Sequence, residues 1–241
     1  MSHDKTDDPR RRWLIKALAA GLVATSLPER AAMSAEATPA RPGRLPPGRS
    51  IFRLSGEVRV NGTPANQQTT LSSTDILETG PRSELVFVVG DNAMILRESS
   101  RLELSTATGE SVLGALRLLA GKLLSVTRNR RLQVNTSTAT IGIRGTGFYI
   151  ESEPQQTYFC TCYGTTDVVA SSDPASRDTI VARQHDKPVY IVGGAPQGQA
   201  IRRAPFINHT DQELMLIESI VGRTPPFVFP GSAYSGPRRD Y

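Results

Sequence analysis

From Ile51 onward the apolar residues of this chain recur at every second position, and no helical period of useful length appears before residue 195. That pattern constrains the fold most, because period two puts alternate side chains on opposite faces of a strand. "GEVRVNG" sends Val58 and Val60 one way and Glu57, Arg59 and Asn61 the other, and Asn61-Gly62 is a hairpin signal. "TDILETG" follows, then "SELVFVVGDNAMILRESSRLEL", two or three strands broken at Gly90-Asp91-Asn92, with Val86, Val88, Met94 and Leu96 expected on inner faces. "ALRLLAGKLLSV" is expected to turn at Gly121; "RLQVNTS", "QTYFCTCYGTTDVVAS", "DTIVARQ" and "KPVYIVGG" continue the series. Short strands separated by Gly, Asn and Asp turns predict an all-β fold: a β-sandwich, a barrel or a solenoid-like coil. The same pattern argues against βαβ units and a nucleotide-binding α/β sheet.

One segment breaks the expectation of a Val/Ile-rich strand. "ATIGIRGTGFYIE", Ala139 to Glu151, alternates but holds Gly142, Gly145 and Gly147, with Arg144, Thr146 and Phe148 among them. Glycine inside a strand weakens it and marks a bulge, a corner or a close backbone approach.

Both ends of the chain read differently. Residues 1–37 have a basic start, an apolar run from Trp13 to Leu27 and small residues ending in Ala35-Glu36-Ala37, the layout of an export signal. Arg10-Arg11-Arg12-Trp13-Leu14 is similar to a twin-arginine motif, departing from it at Ile15. The run falls short of the ~20 residues of a membrane span, so contact with a membrane is expected only through an uncleaved signal, and the folded part is expected in the periplasm. Residues 38–50 read as a Pro-rich linker and 51–194 as the β domain. Residues 195–222 are a C-terminal extension with a helix over 210–221, and 223–241 a loose tail. The helix has Thr210 and Glu213 spaced for a capping box, a stripe of Leu214, Ile217 and Val221, Gly222 past its end, and Pro225-Pro226 to stop it. It is expected to pack on the β body.

The order "GEVRVNG", "TDILETG", "SELVFVVGDNAMILRESSRLEL", "LRLLAGKLLSV", "VNTSTATIGIRGTGFYIE" resembles the FecR periplasmic domain family over roughly residues 52–170, with Ile143 to Phe148 the most specific element. The resemblance implies an all-β module of coiled, stacked sheets, active in envelope signalling. It gives Arg144, Gly145, Thr146, Gly147 and Phe148 an architectural reading: the chain passes between sheets at Gly145 and Gly147, while Arg144 and Thr146 bond carbonyls or the neighbouring Thr136, Ser137 and Thr138. Signal-relaying members add a cytoplasmic anti-sigma segment and a receptor-contacting module. Residues 1–9 are too short for the first and 195–241 for the second, so a free-standing exported binding or sensing module is the expectation. Its partner would be an envelope protein or receptor, met at open strand edges and the tail; the oligomeric state is left open.

The cysteines are two, Cys160 and Cys162, and past the leader the histidines are two, His185 and His209. Residues two apart on a strand share a face with Cα atoms about 6.6 Å apart, near the upper limit for a disulfide and with side chains running parallel. A metal is one resolution: two thiolates and two imidazoles make a tetrahedral S₂N₂ set suited to zinc or a soft copper ion, with Tyr163, Asp186 or Asp211 behind it. A Cys160–Cys162 bridge, pairing with another protein, and inert packing stay open beside it.

Charge and motif content narrow the classes. The net charge of +5 is scattered, aromatics are 6% of residues, and none lies beside the basic pairs Arg130-Arg131 and Arg238-Arg239, so no nucleic-acid partner is expected. No nucleophile elbow, zinc-protease motif or dinucleotide fingerprint occurs. The one enzymatic alternative is a metal- or thiol-dependent redox protein using Cys160 and Cys162.

Overall fold

The computed structural model describes residues 43–107, 112–128 and 131–227. The export signal, the first part of the linker and most of the tail lie outside the described residues. Fourteen strands form one continuous sheet, followed by a single helix among the described residues, α1 (Asp211–Ile220). In chain order the strands are β1 (Ile51–Ser55), β2 (Val58–Val60), β3 (Thr63–Pro64), β4 (Ile76–Thr79), β5 (Glu84–Val89), β6 (Asn92–Leu96) and β7 (Arg101–Thr106). They continue with β8 (Leu113–Val126), β9 (Arg131–Asn135), β10 (Ala139–Ser152), β11 (Gln156–Ala170), β12 (Asp173–Ala182), β13 (Val189–Val192) and β14 (Ile201–Arg203).

Three long strands make one sheet behave as two layers. β8 pairs with β7 and β9 over its first half and with β6 and β10 over its second. β10 pairs with β9 through Thr140–Arg144 and with β8 through Gly147–Ser152. β11 pairs with β13 at its start and with β12 at its end. The corners fall at Gly121, Gly145 and Gly164, all with φ between +65° and +93°, a region that costs a residue with a Cβ strain and glycine nothing. Gly121 therefore bends one continuous strand and does not divide two, contrary to expectation. The register shifts at the corners, between Arg101 and Leu102 opposite the Gly121 bend and between Arg144 and Phe148 on β10.

Folding the sheet over on itself encloses the main core. Leu85, Phe87, Met94, Leu96, Leu123, Phe148, Ile150 and Phe159 from one half pack with Leu77, Leu102, Leu116, Leu132, Val134, Ile141 and Val168 from the other. The all-β expectation holds, with fewer and longer strands in the middle of the chain than the turn signals imply. The inner-face assignment needs one correction. Phe87 pairs with Met94 and Leu85 with Leu96, so those four point into the main core. Val86 and Val88 point to the opposite face of the sheet, beneath the C-terminal extension.

That opposite face carries a second apolar cluster: Val86, Ile95, Leu124, Val126, Tyr149, Tyr158, Cys160 and Cys162 beneath Leu214, Ile217 and Ile220 of α1. Each large apolar side chain fully buried there contributes about 1.5–3 kcal/mol. The helix begins as its residues dictate. Thr210 Oγ1 accepts from the Glu213 N–H while the Glu213 carboxylate accepts from the Thr210 N–H. It ends as a Schellman turn, the Gly222 N–H donating to the Ser219 carbonyl and the Arg223 N–H to that of Glu218. Buried charge pairs tie it to the sheet. Arg97 donates to Glu213 at 3.1 and 3.2 Å and lies over the Tyr149 ring, while Tyr163 and Arg223 both donate to Glu218. Residues 43–50 are not a free linker either: the Leu45 N–H donates to the Ile220 carbonyl at 2.8 Å and Leu45 packs on the second cluster.

Candidate metal centre

β11 alternates Thr157, Phe159 and Thr161 into the interior with Tyr158, Cys160 and Cys162 toward α1. Both cysteines are free thiols and fully buried. His185 comes from the turn between β12 and β13. The Asp186 carboxylate accepts from the backbone N–H groups of Arg183 and Gln184, and His185 itself has φ +53°. The His185 N–H donates to the Cys162 carbonyl at 2.9 Å, which seats the turn on β11. His209 immediately precedes the helix cap and is fully buried, stacked on Tyr149 with ring centroids 4.5 Å apart. Phe206 closes the remaining side, 4.3 Å from His185 and 4.6 Å from His209 between centroids.

One donor atom from each of Cys160, Cys162, His185 and His209 lies within 4.8 Å of every other. His185 Nδ1 is 3.1 Å from His209 Nε2 and 3.5 Å from Cys160 Sγ. An ion bound at about 2.3 Å from sulfur and about 2.05 Å from nitrogen would set tetrahedral N···N and N···S edges of about 3.3 and 3.6 Å. The two edges above lie within about 0.2 Å of these values.

Proton accounting points the same way. His209 Nδ1 lies 2.7 Å from the Ile207 carbonyl, which can only accept, so that nitrogen carries the hydrogen. His185 Nε2 donates to Asp211 Oδ1 at 2.8 Å. In the neutral imidazoles the other two nitrogens are bare, and these are the two that face each other at 3.1 Å. Two lone pairs so placed repel unless a proton or a cation stands between them. Each imidazole is thus held from behind by an acceptor while its free nitrogen faces two sulfurs, the outer support that metal-bound histidines have.

The four groups and Asp211 set one another's protonation. Burial pushes the Cys160 thiol up, but hydrogen bonds from Cys162, His185 and His209 outweigh it and hold Cys160 well below the usual thiol value. Burial and the neighbouring Cys160 sulfur drive Cys162 well above it. Burial works to lower His185, yet the Asp211 carboxylate and Cys160 prevail and raise it to about 9. Burial, followed by the charge of His185, lowers His209. Asp211 is kept below the ordinary carboxylate value by His185 and Gln184 against its own burial.

Of the three residues considered as outer support, Asp211 is in contact. Asp186 shapes the His185 turn, and Tyr163 turns away to Glu218. Three neighbours were not anticipated. Gln184 donates to Asp211 Oδ2 at 2.8 Å, and Tyr149 and Phe206 wall the histidines. Gln184 and Phe206, close before His185 and His209 in the sequence, offered local signals, and Tyr149 did not.

The RGTGF segment lies elsewhere on β10, and its bonding differs from expectation. Arg144 pairs with Asp167, its neighbour across the ladder toward β11. Thr136 and Thr138 bond Thr157 instead, and Thr146 Oγ1 is buried without a partner. The cause is register: β10 places Arg144 on an exposed face opposite Thr165 and beside Asp167.

The described residues form a folded-over β domain with a C-terminal helix and a buried Cys₂His₂ cluster. Residues 75–165 match the family described as FecR protein, the family that the order of strand segments resembles. No curated protein matches the chain. Two crystal structures of a proposed anti-sigma factor from Parabacteroides distasonis are similar in strand arrangement, each with 11% identity over 54% of this chain. Their TM-scores are 0.44 and 0.43, and the alignment spans 58% of the length of those chains. Among the described residues no helix is long and apolar enough to cross a membrane.

Proposed function

We propose that this chain is an exported FecR-domain module that acts by binding within an envelope signalling or sensing assembly, and that Cys160, Cys162, His185 and His209 hold one zinc ion in it. The observation that carries the metal reading is the convergence of two sulfurs and two imidazole nitrogens within 4.8 Å. Four protein ligands in a buried site leave no position for substrate or water, which is the form of a structural centre and not a catalytic one. The FecR match supports the signalling role, and the basic, apolar, small-residue order of residues 1–37 supports export.

A thiol-redox reading has one observation in its favour: His185 lies between Cys160 and Asp211, in the manner of an activated cysteine. A reactive thiolate must also be reachable, and both sulfur-bearing residues are fully buried beneath α1.

Metal analysis of the purified exported protein separates the two readings. The expected result is one zinc per chain, lost in the Cys160→Ser/Cys162→Ser variant, with cobalt substitution giving the absorption of a tetrahedral thiolate site. A metal-free protein with two titratable thiols or a Cys160–Cys162 bridge would overturn the metal centre. One equivalent of copper in place of zinc would correct its identity.

A further inference from the structure

The four candidate ligands come from three separate stretches: β11, the turn between β12 and β13, and the residue before the cap of α1. The helix enters the site twice. His209 supplies a donor nitrogen, and Asp211, buried at the first helical position, holds His185 in place through Oδ1 and Gln184 through Oδ2. A carboxylate at that position is also favoured by the helix dipole. α1 is also kept on the sheet by the apolar face of Leu214, Ile217 and Ile220, by the buried pairs to Arg97 and Tyr163, and by the Leu45 N–H bond to the Ile220 carbonyl. A helix of one short stretch has little stability of its own in water.

Resting on the zinc site proposed above, we infer that the centre is a clasp. The ion joins β11 to the N-terminus of α1, so that metal occupancy and docking of the C-terminal extension are thermodynamically linked. With the ion bound, His209 and Asp211 fix the start of the helix and the apolar face of Val86, Ile95, Leu124, Val126 and Tyr149 stays covered. Without it, the extension from Ala204 to Gly222 opens more readily than the β body and uncovers that face. Linkage is reciprocal: zinc strengthens docking by the factor by which docking strengthens zinc binding, so a change that lowers the docked fraction of the metal-free protein lowers apparent zinc affinity in proportion, even from a residue that touches no ligand.

Ile217 supplies that test, being fully buried on the sheet-facing side of α1. In full-length protein, Ile217→Ala is expected to lower zinc affinity about tenfold, within the range usual for linked sites, as read by competition with a chromophoric chelator. In hydrogen exchange, chelation is expected to speed the amides of 211–220 while β5, β6 and β10 keep their protection. His209→Ala retains three ligands; its zinc affinity is expected to fall, and zinc should slow exchange in 211–220 less than in the parent, through the remaining His185–Asp211 contact alone. If one equivalent of zinc binds but Ile217→Ala leaves affinity unchanged and chelation leaves helix exchange unchanged, the clasp is wrong and the metal site stands. If no zinc binds at all, both readings fall.

Discussion

Gly142 and Gly147 stand on the same strand under different constraints. A Cβ at Gly147 would come within 2.5 Å of Tyr163 Cε1 and 2.8 Å of Cζ, while one at Gly142 would meet nothing nearer than Asp167 Cβ at 3.8 Å. Tyr163 cannot retreat readily, because its hydroxyl donates to buried Glu218. Gly147→Ala is therefore expected to destabilise by about 1–3 kcal/mol through overpacking, and Gly142→Ala to stay within about 0.5 kcal/mol of the parent, both read by urea denaturation. Equal effects would remove the close-approach reading of Gly147. The same scale shows how far single residues reveal the site. Strand alternation alone put Cys160 and Cys162 on one face, and scarcity made His185 and His209 the candidates to join them. Choosing Asp211 over Asp186 was beyond sequence. Both carboxylates lie close after a histidine in the chain, and only the way the β12–β13 turn seats on β11 brings His185 to the start of the helix.

At the level of elements, α1 was readable almost completely, because its cap, its stripe and its stop are local features. Thr210→Ala removes the side-chain half of the capping box and is expected to cost about 1 kcal/mol, seen as a lower thermal midpoint; an unchanged midpoint would mean the cap is dispensable. What α1 packs on was not readable. Arg97 and Glu213 are far apart in sequence, and their side chains are 7% and 13% exposed. Breaking a buried pair leaves an uncompensated charge, so Arg97→Ala is expected to cost about 3–5 kcal/mol, while replacing both by apolar residues, Arg97→Met with Glu213→Leu, should restore most of it. Denaturant midpoints of the two variants decide; equal losses would show that the pair itself, and not the stranded charge, matters. The long strands follow the same logic. A glycine with polar neighbours signals a chain reversal locally, yet at Gly121 the ladder partners on either side keep the chain running straight on through a bend.

For the whole molecule, acid stability follows from carboxylates that the fold supports. Burial works to raise Asp75, but the Ser72 N–H, the Asn61 amide and the Ser72 hydroxyl together hold it below its ordinary value. Asp173 is likewise lowered, first by the Ser176 hydroxyl and then by the Gly198 N–H. A folded-state value below the unfolded one of about 3.9 means their contribution is complete above that pH and is lost as pH falls through the lower folded value. In the Cys160→Ser/Cys162→Ser background, which removes acid-driven metal loss, stability is expected to fall below about pH 4, and Asp75→Asn to make that fall shallower; an unchanged slope would exclude Asp75 as a contributor. Sequence by itself determined the strand class, the Asn61-Gly62 hairpin, the shared face of the two cysteines and the helix with its caps, since each depends on neighbours within a few positions. Tertiary structure alone decided which side of β5 is the inside, that three strands run through their glycine corners, and that two histidines converge on two sulfurs with Asp211 behind them. Those outcomes depend on how a sheet folds over and what the last helix covers, long-range packing that no local spacing encodes.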